Sequence, residues 1–137
     1  MKLDPATFVA DPELLQALEE HSTHIVCAEN RVLFQQGDEP TGLYVLRSGS
    51  ATLTMTAHDG ETILQTTVLP GALLGLPGFI GNQPYSLTAE AHKRSEVGFV
   101  NREDFSQMML THPSLSLKIL AILAAEVRAA RTALSES

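Results

Sequence analysis

The sequence predicts a mainly β protein with helices at both ends, a sandwich or jelly roll of roughly eight short strands. Three observations carry that expectation. Apolar residues recur with a period of two from Ile25 to about Val100, while both flanks have a helical period. Glycine and proline cut the central stretch into short runs, as a chain that turns often requires. The C-terminal segment then holds one long, largely apolar helical pattern.

Near the N-terminus, Asp11-Pro12-Glu13 marks a helix start: a capping aspartate, proline at the first helical position and an acidic first turn. Leu14, Leu15 and Leu18 share one face of this helix, which is expected over about 12–21 and fades near His21. The roll follows over about 25–100. Val32-Leu33-Phe34 and Leu43-Tyr44-Val45-Leu46 are extended apolar runs, with Gly37-Asp38 turning between them. From Ser50 to Ala57, Ala51, Leu53 and Met55 alternate with Thr52, Thr54 and Thr56, so one face packs inward and the threonines meet solvent. Asp59-Gly60 is a strong hairpin signal, and the returning strand, Thr62 to Leu69, ends at Pro70-Gly71.

At Asn101 the period turns helical again. Asn101 caps a helix over about 102–110 that carries Phe105, Met108 and Met109, and Thr111-His112-Pro113 breaks it. Ser114 caps a longer helix over about 114–134, in which Leu120, Leu123, Val127, Ala130 and Leu134 follow alternating spacings of three and four. Leu115, Ile119 and Ile122 add a second apolar row. That is more apolar surface than one roll face needs, so the helix is expected to be shared between two subunits of a homodimer. The alternative is a helix packed only on its own domain.

Composition bounds the rest. At 137 residues and 44% apolar, the chain is expected to form one globular domain, 1–137. No apolar stretch is long enough to span a membrane, and Met1-Lys2-Leu3-Asp4-Pro5 lacks the core of a secretion signal. A single cysteine, Cys27, suits a reducing interior, so a cytoplasmic location is expected. A net charge of −7, with only Lys93-Arg94 adjacent among nine basic residues, argues against non-specific nucleic-acid binding.

The paired glycine-punctuated runs, Gly71-Ala72-Leu73-Leu74-Gly75, Ser86-Leu87-Thr88-Ala89-Glu90-Ala91, and Glu96-Val97-Gly98-Phe99-Val100 with Asn101-Arg102-Glu103-Asp104-Phe105 resemble the cyclic-nucleotide-binding domain of the Crp/Fnr regulators. The resemblance runs over roughly residues 14 to 131. It implies a double-stranded β-helix jelly roll with a long C-terminal dimerisation helix. It also implies a ligand cassette of the form Gly-x-x-x-Gly-Glu-Leu, followed after about ten residues by Arg-Ser/Thr-Ala. In the family the arginine neutralises a cyclic phosphate, the glutamate accepts from a ribose hydroxyl, and the turn between them offers backbone N–H groups.

Here that cassette spans Gly71 to Ala91, and it departs from the pattern. Gly71 and Gly75 are present, but Leu76 stands at the glutamate position and Tyr85 at the arginine position. Pro77 removes one backbone donor, while Ser86 is kept. A buried phosphate without its cation costs several kcal/mol, so cyclic AMP and cyclic GMP are doubtful ligands. Arg47, Lys93, Arg94 and Arg102 are the bases that could stand in, and each is expected at the surface. With Leu73, Leu74, Leu76, Phe79, Ile80 and Leu87 around it, the pocket is expected to be apolar, with Tyr85 and Ser86 as polar handles. The candidate site residues are therefore Gly71, Leu74, Gly75, Leu76, Pro77, Tyr85, Ser86 and Leu87. Equally, such a cassette can be filled by its own side chains and bind nothing.

Other chemistries have weaker patterns. His21, His24 and Cys27 straddle a helix end and a strand, so a surface pair and a buried thiol are expected rather than a metal site. One cysteine cannot hold an iron–sulfur cluster, and His92 and His112 are isolated where a haem would need an axial ligand. No serine sits in a nucleophile-elbow pattern, and Glu103-Asp104 is explained by the helix start it occupies. No cofactor is expected. In Crp/Fnr regulators a winged helix-turn-helix usually follows the long helix, whereas this sequence stops at Ser137, so the chain by itself is not expected to bind DNA. Two functional readings follow: a non-catalytic sensor that dimerises and responds to a small molecule, and a ligand-free dimerisation or interaction scaffold.

Overall fold

The computed structural model describes residues 4–135, with side chains through 132. A short 3-10 turn at Pro5–Phe8 precedes α1 (Pro12–Glu20). Eight strands follow: β1 (Thr23–Val26), β2 (Arg31–Phe34), β3 (Gly42–Ser48), β4 (Ala51–Thr56), β5 (Thr62–Val68), β6 (Leu73–Leu74), β7 (Thr88–Ala91) and β8 (Glu96–Asn101). Between β6 and β7 lies α2 (Leu76–Gly81), and the chain ends in α3 (Arg102–Thr111) and α4 (Leu115–Ser135).

The strands form two four-stranded antiparallel sheets, ordered β1-β8-β3-β6 and β2-β7-β4-β5. The jelly roll expected from the period of two is thus the observed fold. Alternation within β3 shows why the period matters. Tyr44 and Leu46 face the space between the sheets, where Phe34, Leu53, Leu64, Val68, Leu74, Ala89 and Val97 meet them. Leu43 and Val45 face the other way, into a second core built with the helices, where Leu14, Leu18, Phe79, Val100, Phe105, Met108 and Ile119 converge. A sheet buried on both faces in this way needs apolar residues on both, which β3 and β8 supply.

The local signals act as expected. Asp11 Oδ1 accepts from Leu14 N at 2.8 Å, and Asn101 Oδ1 accepts from Asp104 N at 2.8 Å, so both caps satisfy a first-turn donor. The Asp59-Gly60 hairpin closes with Ala57 N donating to Glu61 O at 2.8 Å, and Gly60 has φ +87°, a conformation side chains resist. Asp38 Oδ2 accepts from Gln35 N at 3.0 Å and fixes the turn after β2. Two elements differ from the sequence expectation: the 3-10 turn at Pro5–Phe8 and α2 carry too few residues for a helical period to show.

α4 packs back onto its own domain. Leu115, Ile119 and Ile122 are buried in the helical core, and Lys118 Nζ pairs with Asp11 Oδ2, tying α4 to the α1 N-terminus. That contact holds the Asp11 carboxyl below its usual range and raises Lys118. Leu120 and Val127 are 58% and 52% exposed, and Leu117, on the same helix, is 75% exposed. The expected seam is therefore divided. Leu120 faces outward, Val127 is half-exposed at the edge of the cavity described below, Leu123 packs partly against the helical core, and Ala130 lines that cavity. The side chain of Leu134 lies outside the described residues. No helix among the described residues is long and apolar enough to cross a membrane.

Candidate functional site

The cassette begins where Gly71 takes φ +98° after β5, and β6 follows at once, pairing Leu73 and Leu74 with Val45 and Tyr44. Gly75 then opens α2 in the left-handed conformation, φ +88°. The turn is also sterically closed. A Cβ on Gly75 would lie 2.8 Å from Cε1 of Tyr85 and 3.2 Å from the Phe34 ring. Only glycine lets those two rings approach the backbone here.

Tyr85 is held from every side. It is 3% exposed, and its ring stacks on Phe34 with centroids 4.0 Å apart. Its hydroxyl donates to Gly42 O at 2.5 Å and accepts from Thr41 N at 3.2 Å and Gly42 N at 3.3 Å. Its backbone bridges the turn after β2, with N donating to Asp38 O at 3.0 Å and O accepting from Gly37 N at 2.8 Å. The expectation that Tyr85 offers a ligand a polar handle is corrected by this geometry: its hydroxyl is already saturated by backbone, and only the ring faces inward.

Between the roll, the cassette and α4 lies a cavity of about 180 Å³. Leu74, Gly75, Pro77, Tyr85, Ser86 and Leu87 line it, joined by Leu73 and Gly78. Gly71 does not; it turns the chain beside Val9 and Leu15. Leu76 does not either, because its fully buried side chain enters the helical core. Phe79 packs edge-on to Phe105 at 5.1 Å, and Ile80 is 39% exposed, so neither reaches the cavity. The helical period of α2 explains this correction: its inward face points to α1 and α3, away from the roll interior.

The remaining walls come from residues far away in sequence: Phe8 from the N-terminal turn, Phe34, Leu53, Met55 and Leu64 from the roll, and Glu126, Val127 and Ala130 from α4. Glu126 is the exceptional one. Its Oε2 has neither solvent contact nor a hydrogen-bond partner, and burial pushes the carboxyl up to about 8. One sequence signal marks it. Ile119, Ile122, Glu126 and Ala130 continue a single helical face by steps of three and four, so an acid stands where that face is otherwise apolar.

No base enters the cavity among the residues lining it. Arg102 instead donates to Phe79 O at 3.1 Å and lies 4.5 Å above the Phe79 ring, at the far end of α2. Arg47 and Lys93 approach Glu19 and Glu29 at 3.8 and 4.0 Å, while Arg94 occupies a surface turn with φ +72°. His24 pairs with Glu96 at 2.7 Å, His21 contacts Ala17 O at 2.9 Å and Cys27 is buried in the roll, so the three do not converge. Ser50 and His92, which no sequence spacing pairs, meet at 2.6 Å, and the other ring nitrogen of His92 meets Thr52 Oγ1 at 2.6 Å. This group lies outside the cavity and ties β4 to the turn after β7.

Comparison with known proteins agrees with the fold. The family model for the cyclic nucleotide-binding domain matches residues 24–112. The transcriptional activator protein FnrA of Stutzerimonas stutzeri is 27% identical over 100 residues, covering 73% of this chain and 41% of that protein. An anaerobic regulatory protein of Aggregatibacter actinomycetemcomitans is 29% identical over 102 residues, covering 73% of this chain and 38% of that protein. The chain thus spans about two-fifths of the length of these curated relatives. Among solved structures, the catabolite activator protein of Thermus thermophilus superposes with a TM-score of 0.80 at 24% identity, over 96% of this chain and 62% of that one. With eight strands in two antiparallel sheets, a glycine-bounded turn and short helix between β5 and β7 and a matching family model over most of its length, the chain belongs to the cyclic nucleotide-binding domain family.

Proposed function

We propose that this domain is a non-catalytic regulatory sensor whose cavity takes a small, largely apolar effector in place of a cyclic nucleotide. The observation that carries the proposal is the Tyr85 ring, stacked on Phe34 and pressed against Gly75, where the family cassette has a phosphate-binding arginine. A cyclic phosphate would have to displace that ring and would meet no cation among the lining residues. Each of these disfavours an anion. Occupancy would be felt by α4 directly, because Glu126, Val127 and Ala130 form one wall. The outward row of Leu117, Leu120 and Val127 supports a homodimer through that helix. A role in signal-responsive or transcriptional regulation in the cytoplasm accords with the relatives named above. With a net charge of −7, the chain by itself would not be a DNA-binding unit.

Titration calorimetry with cyclic AMP and cyclic GMP tests the proposal: neither should bind more tightly than roughly 100 μM. A low-micromolar constant for either nucleotide would overturn it. The same exposed row favours the second reading, a ligand-free dimerisation scaffold. Thermal-shift screening against small apolar molecules separates the two, since only a sensor is stabilised by an effector.

A further inference from the structure

Resting on the sensor reading, we infer that the effector is an apolar organic amine, with its basic nitrogen on Glu126 and its hydrocarbon body in the cavity between the roll and α4. The cavity of about 180 Å³ is walled by Phe34, Leu53, Leu64, Leu74 and the Tyr85 ring. A dry apolar cavity of about 150 Å³ is known to hold one benzene ring, which sets the size of the ligand body. Into this wall projects one acid whose Oε2 has no hydrogen-bond partner and no solvent.

That oxygen restricts the ligand's polar end. An anionic group would be buried with no cation in the lining and would hold the carboxyl in its protonated form. A purely apolar molecule would leave Oε2 unsatisfied, and a hydroxyl would give it one neutral hydrogen bond. A basic nitrogen both donates to Oε2 and balances the charge the carboxyl takes on when it ionises, and the lining residues supply no cation for that purpose. The other titratable group in the lining, Tyr85, has its hydroxyl turned away onto Thr41 and Gly42. Across the cavity the N-terminal turn brings Phe8, and Asp4 at its start is engaged by Ala6 N. On α4 itself Arg128 is exposed and is absent from the cavity wall.

Proton balance makes the inference measurable. Near neutral pH the amine arrives as an ammonium and the empty site holds a protonated carboxyl. Binding forms an ammonium–carboxylate pair and releases one proton to solvent. Affinity should therefore rise with pH, by up to about tenfold per unit, until the empty carboxyl is itself ionised.

The test uses three probes of one size, benzylamine, benzyl alcohol and phenylacetate, titrated calorimetrically into the native chain and into Glu126→Gln. Benzylamine is expected to bind at least about tenfold more tightly than benzyl alcohol, to release protons, and to lose that preference in Glu126→Gln. Phenylacetate is expected to be the weakest of the three. Benzyl alcohol binding as well as benzylamine, or an amine preference that persists in Glu126→Gln, would overturn the amine inference and leave the sensor reading standing. If none of the three binds at millimolar concentration, both fall and the scaffold reading replaces them. Glu126→Gln keeps the shape of the side chain, and a cooperative unfolding transition confirms that the variant is folded.

Discussion

Replacing Glu126 by glutamine should make the stability of the empty protein less dependent on pH, and the size of the change follows from burial. The carboxyl titrates near 4.5 in an unfolded chain and is pushed up to about 8 in the folded one. Between those values the folded state holds a proton that the unfolded state has lost. Stability from this group is therefore greatest below the unfolded value and declines as pH rises, levelling off above about 8. The slope is about 1.4 kcal/mol per pH unit, so the native protein forgoes about 3 kcal/mol at pH 7 relative to acid conditions. Glutamine has similar shape and no charge. Its own buried amide adds an offset that does not change with pH.

The assay is urea unfolding of both proteins at about pH 5, 6, 7 and 8, where the stability difference should grow by about 2–3 kcal/mol from pH 5 to 7 in favour of the variant. Every other titratable group is common to both proteins, so the difference isolates Glu126. A difference that stays constant across the series would refute the burial argument, because it would mean that Glu126 reaches water in the folded state.

Other outcomes follow from the same geometry. Tyr85→Phe keeps the Phe34 stack but strips hydrogen bonds from the Thr41–Gly42 backbone, and urea unfolding should show a loss of about 1–3 kcal/mol. Tyr85→Arg with Leu76→Glu should fail to create a cyclic AMP site, because Leu76 points into the helical core and a carboxylate there would be buried unpaired. Calorimetric detection of tight cyclic AMP binding by that double variant would contradict the placement. Leu120→Glu with Val127→Glu should yield a monomer by light scattering while leaving the unfolding transition cooperative, since both side chains lie outside the core.

What the sequence determines by itself is local and periodic. The Asp11 and Asn101 caps, the Asp59-Gly60 hairpin and the threonine-faced β4 all rest on contacts within a few residues or on an alternation that the pleat imposes. The cassette was legible as a departure from a pattern, Leu76 for an acid and Tyr85 for a base, because motif spacing survives in one dimension. Which way those two side chains point was not. Leu76 enters the helical core because α1 and α3 pack on that face of α2, and Tyr85 saturates its hydroxyl on backbone 43 residues away. Glu126 is the sharpest case. Its chemistry depends on α4 folding back over the mouth of the roll, which puts a carboxyl among Phe34, Leu53 and Leu64. Helical spacing shows an acid on an apolar face. Only tertiary packing decides that the face is covered, and with it whether that acid is a surface charge or a buried proton.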